Sequence, residues 1–75
     1  MKLYNTRMMS VASHLKKERG ILNKDFYLSI GFERANLGKI KDGNISFTVE
    51  QMHNCIKNYG INPAYFFIRT APMFN

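Results

Sequence analysis

The chain has little cysteine and no long hydrophobic run. Its one cysteine, Cys55, excludes an internal disulfide framework, and together with two histidines it gives no spacing typical of a zinc site. The longest uninterrupted apolar run is AYFFI, residues 64–68, far short of the roughly 20 residues that span a bilayer. The start of the chain, MKLYNTRMMS, lacks the apolar stretch of a signal peptide. We therefore expect a cytoplasmic protein that contacts no membrane and holds no metal or cofactor.

Acidic residues are also scarce. Five acids stand against eleven lysines and arginines, which leaves a formal net charge of +6. A balance of this kind favours a polyanionic partner, with nucleic acid as the leading candidate. Hydrophobic residues make up 45% of the 75 positions, enough for a compact core in one small domain. We therefore expect residues 1–75 to form a single domain, with its core at about 5–68 and a tail at 69–75.

The first half of the chain has two stretches with helical spacing. Apolar residues recur three and four positions apart at Met8, Val11, Ala12 and Leu15, and predict a first helix over about 5–19 that stops at Gly20. A second, shorter helix is predicted over 23–30, with Phe26, Tyr27 and Ile30 on one side and Gly31 after its end.

A third helix is predicted over 33–41, with Leu37 and Ile40 directed inward. Its outward positions are Arg34, Ala35, Gly38 and Lys39. A glycine inside a helix costs about 1 kcal/mol relative to alanine. Gly38 is therefore either a tolerated surface glycine or a position where another molecule approaches the backbone closely.

The last part of the chain carries two helix-start signals. Thr48 followed by Gln51 forms a potential capping box after the predicted loop GNISF. The fourth helix then directs Val49, Met52, Cys55, Ile56 and Tyr59 inward and ends before Gly60. Asn62 and Pro63 suit the start of a fifth helix that runs to about residue 68. No alternating strand pattern persists, so the predicted fold is all-α, a compact five-helix domain.

Five short helices with a tight turn between the second and third describe a helix-turn-helix domain. The segments that carry a closer resemblance are HLKKERGI, KDFYLSIGF, RANLGKIKDG and TVEQMHNCIKNYGINPAYFF. Over roughly residues 10–68 the chain resembles the lambda-repressor-like, xenobiotic-response-element family of bacterial and phage regulators. The ending INPAYFF followed by PMF is similar to the close of many phage-type members.

The resemblance implies a sequence-specific regulator of transcription, a phage or mobile-element repressor that binds double-stranded DNA as a symmetric dimer. The third helix would enter the major groove and the second would cross the backbone. Carried over by position, the base-reading residues are Arg34, Ala35, Asn36 and Lys39. The phosphate-binding residues are Asn23, Lys24, Lys41 and Asn44. The residue types fit these roles, because arginine and lysine pair with guanine and a helix N-terminus suits phosphate.

Three positions depart from the family pattern. Lys16 and Lys41 stand where many members pair an arginine with a glutamate, and Tyr27 stands where a small residue is usual. Glu33 places an acid at the start of the reading helix, although glutamate can accept a hydrogen bond from cytosine. Two other functions therefore stay open: a protein-interaction module on this fold, such as an antirepressor, phage accessory protein or antitoxin-like partner, and a nonspecific nucleic-acid binder.

The aromatic residues near the C-terminus exceed what one short helix must bury. Phe66 is the expected core member, whereas Tyr65, Phe67 and Phe74 are candidates for a homodimer interface. The alternative is that the tail folds back and covers them. His14 and His53 are expected as ordinary surface or boundary residues. No nucleophile, base and orienting partner can be assembled, so we expect neither an enzyme nor a small-molecule substrate.

Overall fold

The computed structural model describes residues 2–41 and 46–75, with the side chain of Lys41 outside the description. Its α-helices are α1 (Leu3–Arg19), α2 (Asn23–Ser29), α3 (Leu37–Lys41) and α4 (Val49–Tyr59), with 3-10 helices at Arg34–Asn36 and Pro63–Phe66. Within the described ranges the only β-type pairing is an isolated antiparallel bridge. The chain is therefore mostly helical, as the all-α prediction requires. None of the described helices is long and apolar enough to cross a membrane.

Helix α1 forms the centre of the molecule. Its apolar residues Met8, Val11, Ala12 and Leu15 are all buried, as their spacing predicts. The helix begins at Leu3, earlier than expected, and ends at Gly20, which has a φ of 68°. The Gly20 N–H donates to the Lys16 carbonyl at 3.2 Å and the Ile21 N–H to the Leu15 carbonyl at 3.2 Å. These two bonds satisfy carbonyls that the end of a helix leaves free.

Helix α4 begins with the predicted capping box. The Gln51 N–H donates to Thr48 Oγ1 at 3.1 Å, and the Thr48 N–H donates to Gln51 Oε1 at 2.9 Å. Met52 and Cys55 are buried and Ile56 is half-buried, as expected. The prediction for Val49 is wrong, since its side chain is 77% exposed. Val49 is the first helical residue, and it precedes the turn of the helix that lies on the core.

Two predicted helices have a different geometry from the one expected. The third starts as a 3-10 turn at Arg34–Asn36 and becomes α-helical only at Leu37. The predicted fifth α-helix is a 3-10 helix that ends at Phe66. Its start is as predicted, because Asn62 Oδ1 accepts a bond from the Ala64 N–H at 3.2 Å. Two more residues of α-helix would be needed to reach Ile68, and the chain instead turns away at Phe67.

An aromatic cluster joins α2 to the segment before α4. The ring of Tyr27 lies 5.7 Å from that of Phe32 and 6.0 Å from that of Phe47, and the last two rings are 5.5 Å apart, centre to centre. Phe47 is 4% exposed, although the sequence placed it in a loop. Its N–H donates to Asn5 Oδ1 at 3.0 Å, which ties the segment to the start of α1.

The C-terminal residues, expected as a tail, fold back onto the core, which is one of the two alternatives that the sequence leaves open. Phe74 forms the isolated bridge with Ile61, and its ring lies 5.2 Å from that of His14. The Asn62 N–H donates to the Met73 carbonyl at 2.8 Å. Backbone pairing holds this segment, together with the side chains of Met73 and Phe74, which pack against the core. Residue spacing does not reveal such a combination.

Candidate nucleic-acid interface

The connection between α2 and the Arg34–Asn36 turn is short, and backbone hydrogen bonds hold its start. The Gly31 N–H donates to the Leu28 carbonyl at 3.3 Å and the Phe32 N–H donates to the Tyr27 carbonyl at 3.1 Å. Gly31 has a φ of 113°, a backbone conformation that residues with a side chain rarely adopt. The glycine therefore fixes the angle at which the following helical segment leaves α2.

Helix α4 holds this turn from the other side. The side-chain amide of Asn54 donates to the Ile30 carbonyl and that of Asn58 to the Ser29 carbonyl, each at 3.1 Å. The hydroxyls of Ser29 and Tyr59 are also hydrogen bonded to each other. These contacts occupy carbonyls at the end of α2 that the helix itself cannot satisfy. The sequence analysis missed both asparagines, and their spacing of four residues on α4 is the signal that places them on one face.

The expected base-reading residues lie on the outer side of the Arg34–Asn36 turn and α3. Arg34, Ala35 and Lys39 are exposed and Asn36 is half-buried. Ile40 is buried and Leu37 is half-buried against the core, so α3 rests on the protein through its apolar side. The base-reading candidates that the sequence names are therefore mostly free of packing, with Asn36 the least accessible.

Gly38 lies on the exposed side of α3. A Cβ atom built at this position would meet no atom within 4 Å, and its backbone is not in the left-handed region. Neither the fold nor the local conformation therefore requires a glycine here. An approaching molecule remains as one explanation for it, and a tolerated surface glycine is the other.

The expected phosphate-binding residues at the start of α2 lie beside α3. Asn23 and Lys24 are exposed, and Leu22 rather than Asn23 occupies the N-cap. Both side chains border an open cavity of about 430 Å³ whose other lining residues include Leu37 and Ile40 of α3. The structure thus brings the start of α2 next to the helix that carries Lys39.

Two of the phosphate-binding candidates are not tested by this geometry. Lys41 is the last residue of α3, but its side chain lies outside the described residues, as does all of Asn44. Their roles stay predictions. Lys16 stands where many members of the family have the arginine that pairs with the position of Lys41. It is exposed near the end of α1, as are the other basic residues of the last turn, Lys17 and Arg19.

Acidic groups share this region with the basic ones. Asp25 is exposed in the first turn of α2, and Glu33 is exposed at the N-cap of the Arg34–Asn36 turn without making a side-chain capping bond. Glu33 therefore stands directly before Arg34 on the surface. An acid therefore directly precedes the first of the base-reading candidates.

The three candidates for a dimer interface have different surroundings. Tyr65 is 7% exposed, and the Arg7 guanidinium covers its ring with Cζ 4.3 Å from the ring centre. Phe74 is half-buried against His14. Phe67 is 64% exposed, and its neighbour Ile68 is 53% exposed. The accessible apolar surface at this end is thus Phe67 with Ile68, and the expectation of an accessible Tyr65 is wrong because Arg7 and the core enclose it.

Two kinds of reactive site can be checked among the titratable residues that the structure describes, a metal cluster and a nucleophilic thiol. No group of three or more His, Cys, Asp or Glu side chains lies close enough together there to hold a metal ion. Cys55 is fully buried, and burial raises the pKa of its thiol to about 12, which makes it a poor nucleophile at neutral pH. Burial also raises the pKa of the Tyr27 hydroxyl. Both groups are accordingly neutral at pH 7.

No protein-family model, curated protein or solved structure matches the chain.

Proposed function

We propose that the protein is a sequence-specific double-stranded DNA-binding regulator with a lambda-repressor-like helix-turn-helix fold. The observation that carries the proposal is that the Arg34–Asn36 turn and α3 together have an inner and an outer side. Leu37 and Ile40 face the core, whereas Arg34, Ala35 and Lys39 project from the protein without a packing role. An exposed helix with basic and small side chains is the arrangement that reads base edges in the major groove.

The start of α2 supports the same proposal. Lys24 and Asn23 border the cavity beside α3, so one DNA backbone could meet them while α3 occupies the adjacent groove. The net charge of +6 adds attraction for a polyanion of any sequence. In this reading Arg34 and Lys39 contact guanine, Ala35 contacts a thymine methyl, and Lys24 fixes the position of the protein on the duplex.

The direct test is selection from a pool of random DNA duplexes, followed by fluorescence anisotropy of the selected sequences at two salt concentrations. We expect an enriched, near-palindromic motif whose half-sites are about one helical turn apart, as a symmetric dimer requires. Binding that shows no enrichment and collapses steeply with salt would reduce the function to backbone electrostatics. An absence of binding would contradict the proposal.

Variants of single basic residues separate reading from positioning. Arg34→Gln is expected to relax preference at one base pair, with a loss of about 1–3 kcal/mol on the preferred site. Lys24→Gln should weaken all sequences alike and reduce the salt slope by about one unit. Arg69→Gln is the matched control, because Arg69 is exposed and lies beyond the last 3-10 helix. Equal losses at every sequence for all three would overturn the assigned roles.

A protein-interaction module is the second candidate, and the two acids favour it. Asp25 and Glu33 are exposed on the same elements that would face DNA, and each repels a nearby phosphate. A protein partner that covers α3 would tolerate these carboxylates, and its binding would survive the loss of Arg34. The selection experiment distinguishes the two functions, since this module predicts no enriched duplex.

A further inference from the structure

The open cavity between α1, α2 and α3 has the composition of a small-ligand site. Its volume is about 430 Å³, and its lining residues are Met9, Asn23, Lys24, Tyr27, Leu37 and Ile40. Cavities that hold small molecules measure roughly 300–1,000 Å³ and combine an apolar lining with a few polar groups. Met9, Leu37 and Ile40 supply the apolar part here, and Asn23 and Lys24 supply polar groups at the exposed rim.

Tyr27 is the lining residue of the cavity that carries a hydroxyl. The side chain is 7% exposed, and its ring is held by Phe32 and Phe47. The hydroxyls of Tyr4 and Tyr59 are hydrogen bonded to serines, whereas that of Tyr27 has no hydrogen-bond partner among residues 2–40 and 46–75. Every fully buried side-chain oxygen in that part of the chain is bonded, so the Tyr27 hydroxyl is not fully buried.

We propose that this cavity binds a small amphipathic carboxylate, with its hydrocarbon part against Met9, Leu37 and Ile40 and its carboxylate at Lys24. The rim decides the sign of the ligand. Among the described residues that line the cavity Lys24 is the charged one, whereas the neighbouring acid Asp25 does not line the cavity. A carboxylate gains a charge-assisted hydrogen bond from the Lys24 ammonium and a further bond from the Asn23 amide. The Tyr27 hydroxyl is neutral at pH 7 and can donate to the same oxygen pair.

The cavity also explains why a tyrosine occupies position 27. A phenylalanine there would fill the same place among the aromatic rings without leaving a hydroxyl in a mainly apolar site. A ligand oxygen would give this hydroxyl a hydrogen-bond partner that a phenylalanine could not use. This proposal does not depend on DNA binding, because the ligand would bind to the protein in the absence of DNA.

The test is titration of the ¹⁵N-labelled full chain with sodium octanoate, followed by amide chemical shifts at pH 7. We expect saturable shifts that cluster at the cavity residues on α1, α2 and α3. Octylammonium has the same hydrocarbon chain with the opposite charge, and we expect it to bind at least about tenfold more weakly. No saturable shift, shifts centred elsewhere, or equal affinity for the two probes would each overturn the proposal.

Three variants and one control sharpen this test. Lys24→Gln should weaken octanoate binding about tenfold, which corresponds to about 1.4 kcal/mol, while octylammonium, which the Lys24 ammonium repels, should bind no more weakly than to the wild type. Tyr27→Phe keeps the ring and should weaken octanoate by a few-fold. Met9→Trp should abolish binding by filling the cavity from α1. Lys57→Gln removes a charge from an exposed position on α4 that does not line the cavity, and a loss there equal to that of Lys24→Gln would contradict the assignment.

Discussion

The side-chain amide of Asn54 donates a hydrogen bond of 3.1 Å to the carbonyl of Ile30, the residue that ends α2. This contact spans 24 positions of sequence, and together with the bonds of Asn58 and Tyr59 to Ser29 it links α4 to the turn that precedes α3. The proposed DNA contacts follow that turn in the chain, so we expect Asn54 to influence their orientation although it is not one of them.

Asn54→Ala is therefore expected to lower the free energy of unfolding by about 1–2 kcal/mol, because it leaves a partly buried carbonyl without its partner. Urea denaturation followed by far-UV circular dichroism measures this loss. Asn58→Ala is the matched control: its bond to the Ser29 carbonyl has the same length but is exposed, so the change should stay within about 0.5 kcal/mol. Equal losses for the two variants would show that Asn54 has no special part in holding the turn.

Gly38→Ala is expected to raise the stability of the protein. A Cβ atom meets no atom within 4 Å there, and alanine favours a helix by up to about 1 kcal/mol over glycine. If the DNA backbone or a base edge approaches α3 closely at Gly38, the same variant should bind its selected duplex more weakly while it unfolds at higher urea. Unchanged affinity would instead identify Gly38 as a tolerated surface glycine.

Gly31→Ala is expected to have the opposite effect on stability. Its φ of 113° strains any residue with a side chain, even though the nearest atom, Asn54 Nδ2, would be an ordinary 3.7 Å away. We expect a loss of about 1–3 kcal/mol. A neutral or stabilising effect would mean that the turn adopts another conformation in solution.

Phe67 and Ile68 form the apolar patch that we expect to mediate dimerisation. Phe67→Ser should convert the protein to a monomer across a concentration series in analytical ultracentrifugation, with little change in folding because Phe67 is 64% exposed. Leu22→Ser is the control, since Leu22 is 50% exposed and lies between α1 and α2. A wild-type protein that stays monomeric throughout would contradict the interface, and dissociation by both variants would contradict its location.

The buried thiol of Cys55 predicts a stability loss in alkali. Its pKa is about 12 in the folded chain, against 9.0 for the ordinary group. Between these pH values the unfolded chain releases the thiol proton and the folded chain keeps it. The contribution of this thiol to the free energy of unfolding is therefore fully present below pH 9 and falls as the pH rises. The slope from this group is at most about 1.4 kcal/mol per pH unit.

Chemical denaturation at several pH values from 8 to 11 measures that slope. Cys55→Ala is expected to be less stable at pH 8, because it leaves a small cavity, but to lose stability less steeply with pH than the wild type. Parallel curves for the two proteins would mean that the thiol is ionised, or accessible, in the folded state.

Much of the secondary structure follows from local signals. The stop of α1 at Gly20, the capping box at Thr48 and Gln51, and the Asn62 cap are each made by residues a few positions apart, so the sequence contains both partners. The apolar spacing in α1 likewise identifies its buried face, because a helix returns the same side to the core every three to four residues. The sequence and its resemblance to a known family also predict the basic residues that would meet DNA, and most of these residues are exposed.

Other features depend on contacts between distant segments. Phe47 reads as a loop residue but is buried, since Tyr27, Phe32 and Asn5 surround it. The last residues read as a tail but pair with Ile61. The cavity at Lys24 exists only because α1, α2 and α3 converge there. Caps, stops and most inward-facing positions follow from residues close together in the chain, because those are short-range effects. Which exposed groups lie together depends on tertiary packing, because the angles between helices are set by contacts between segments far apart in sequence.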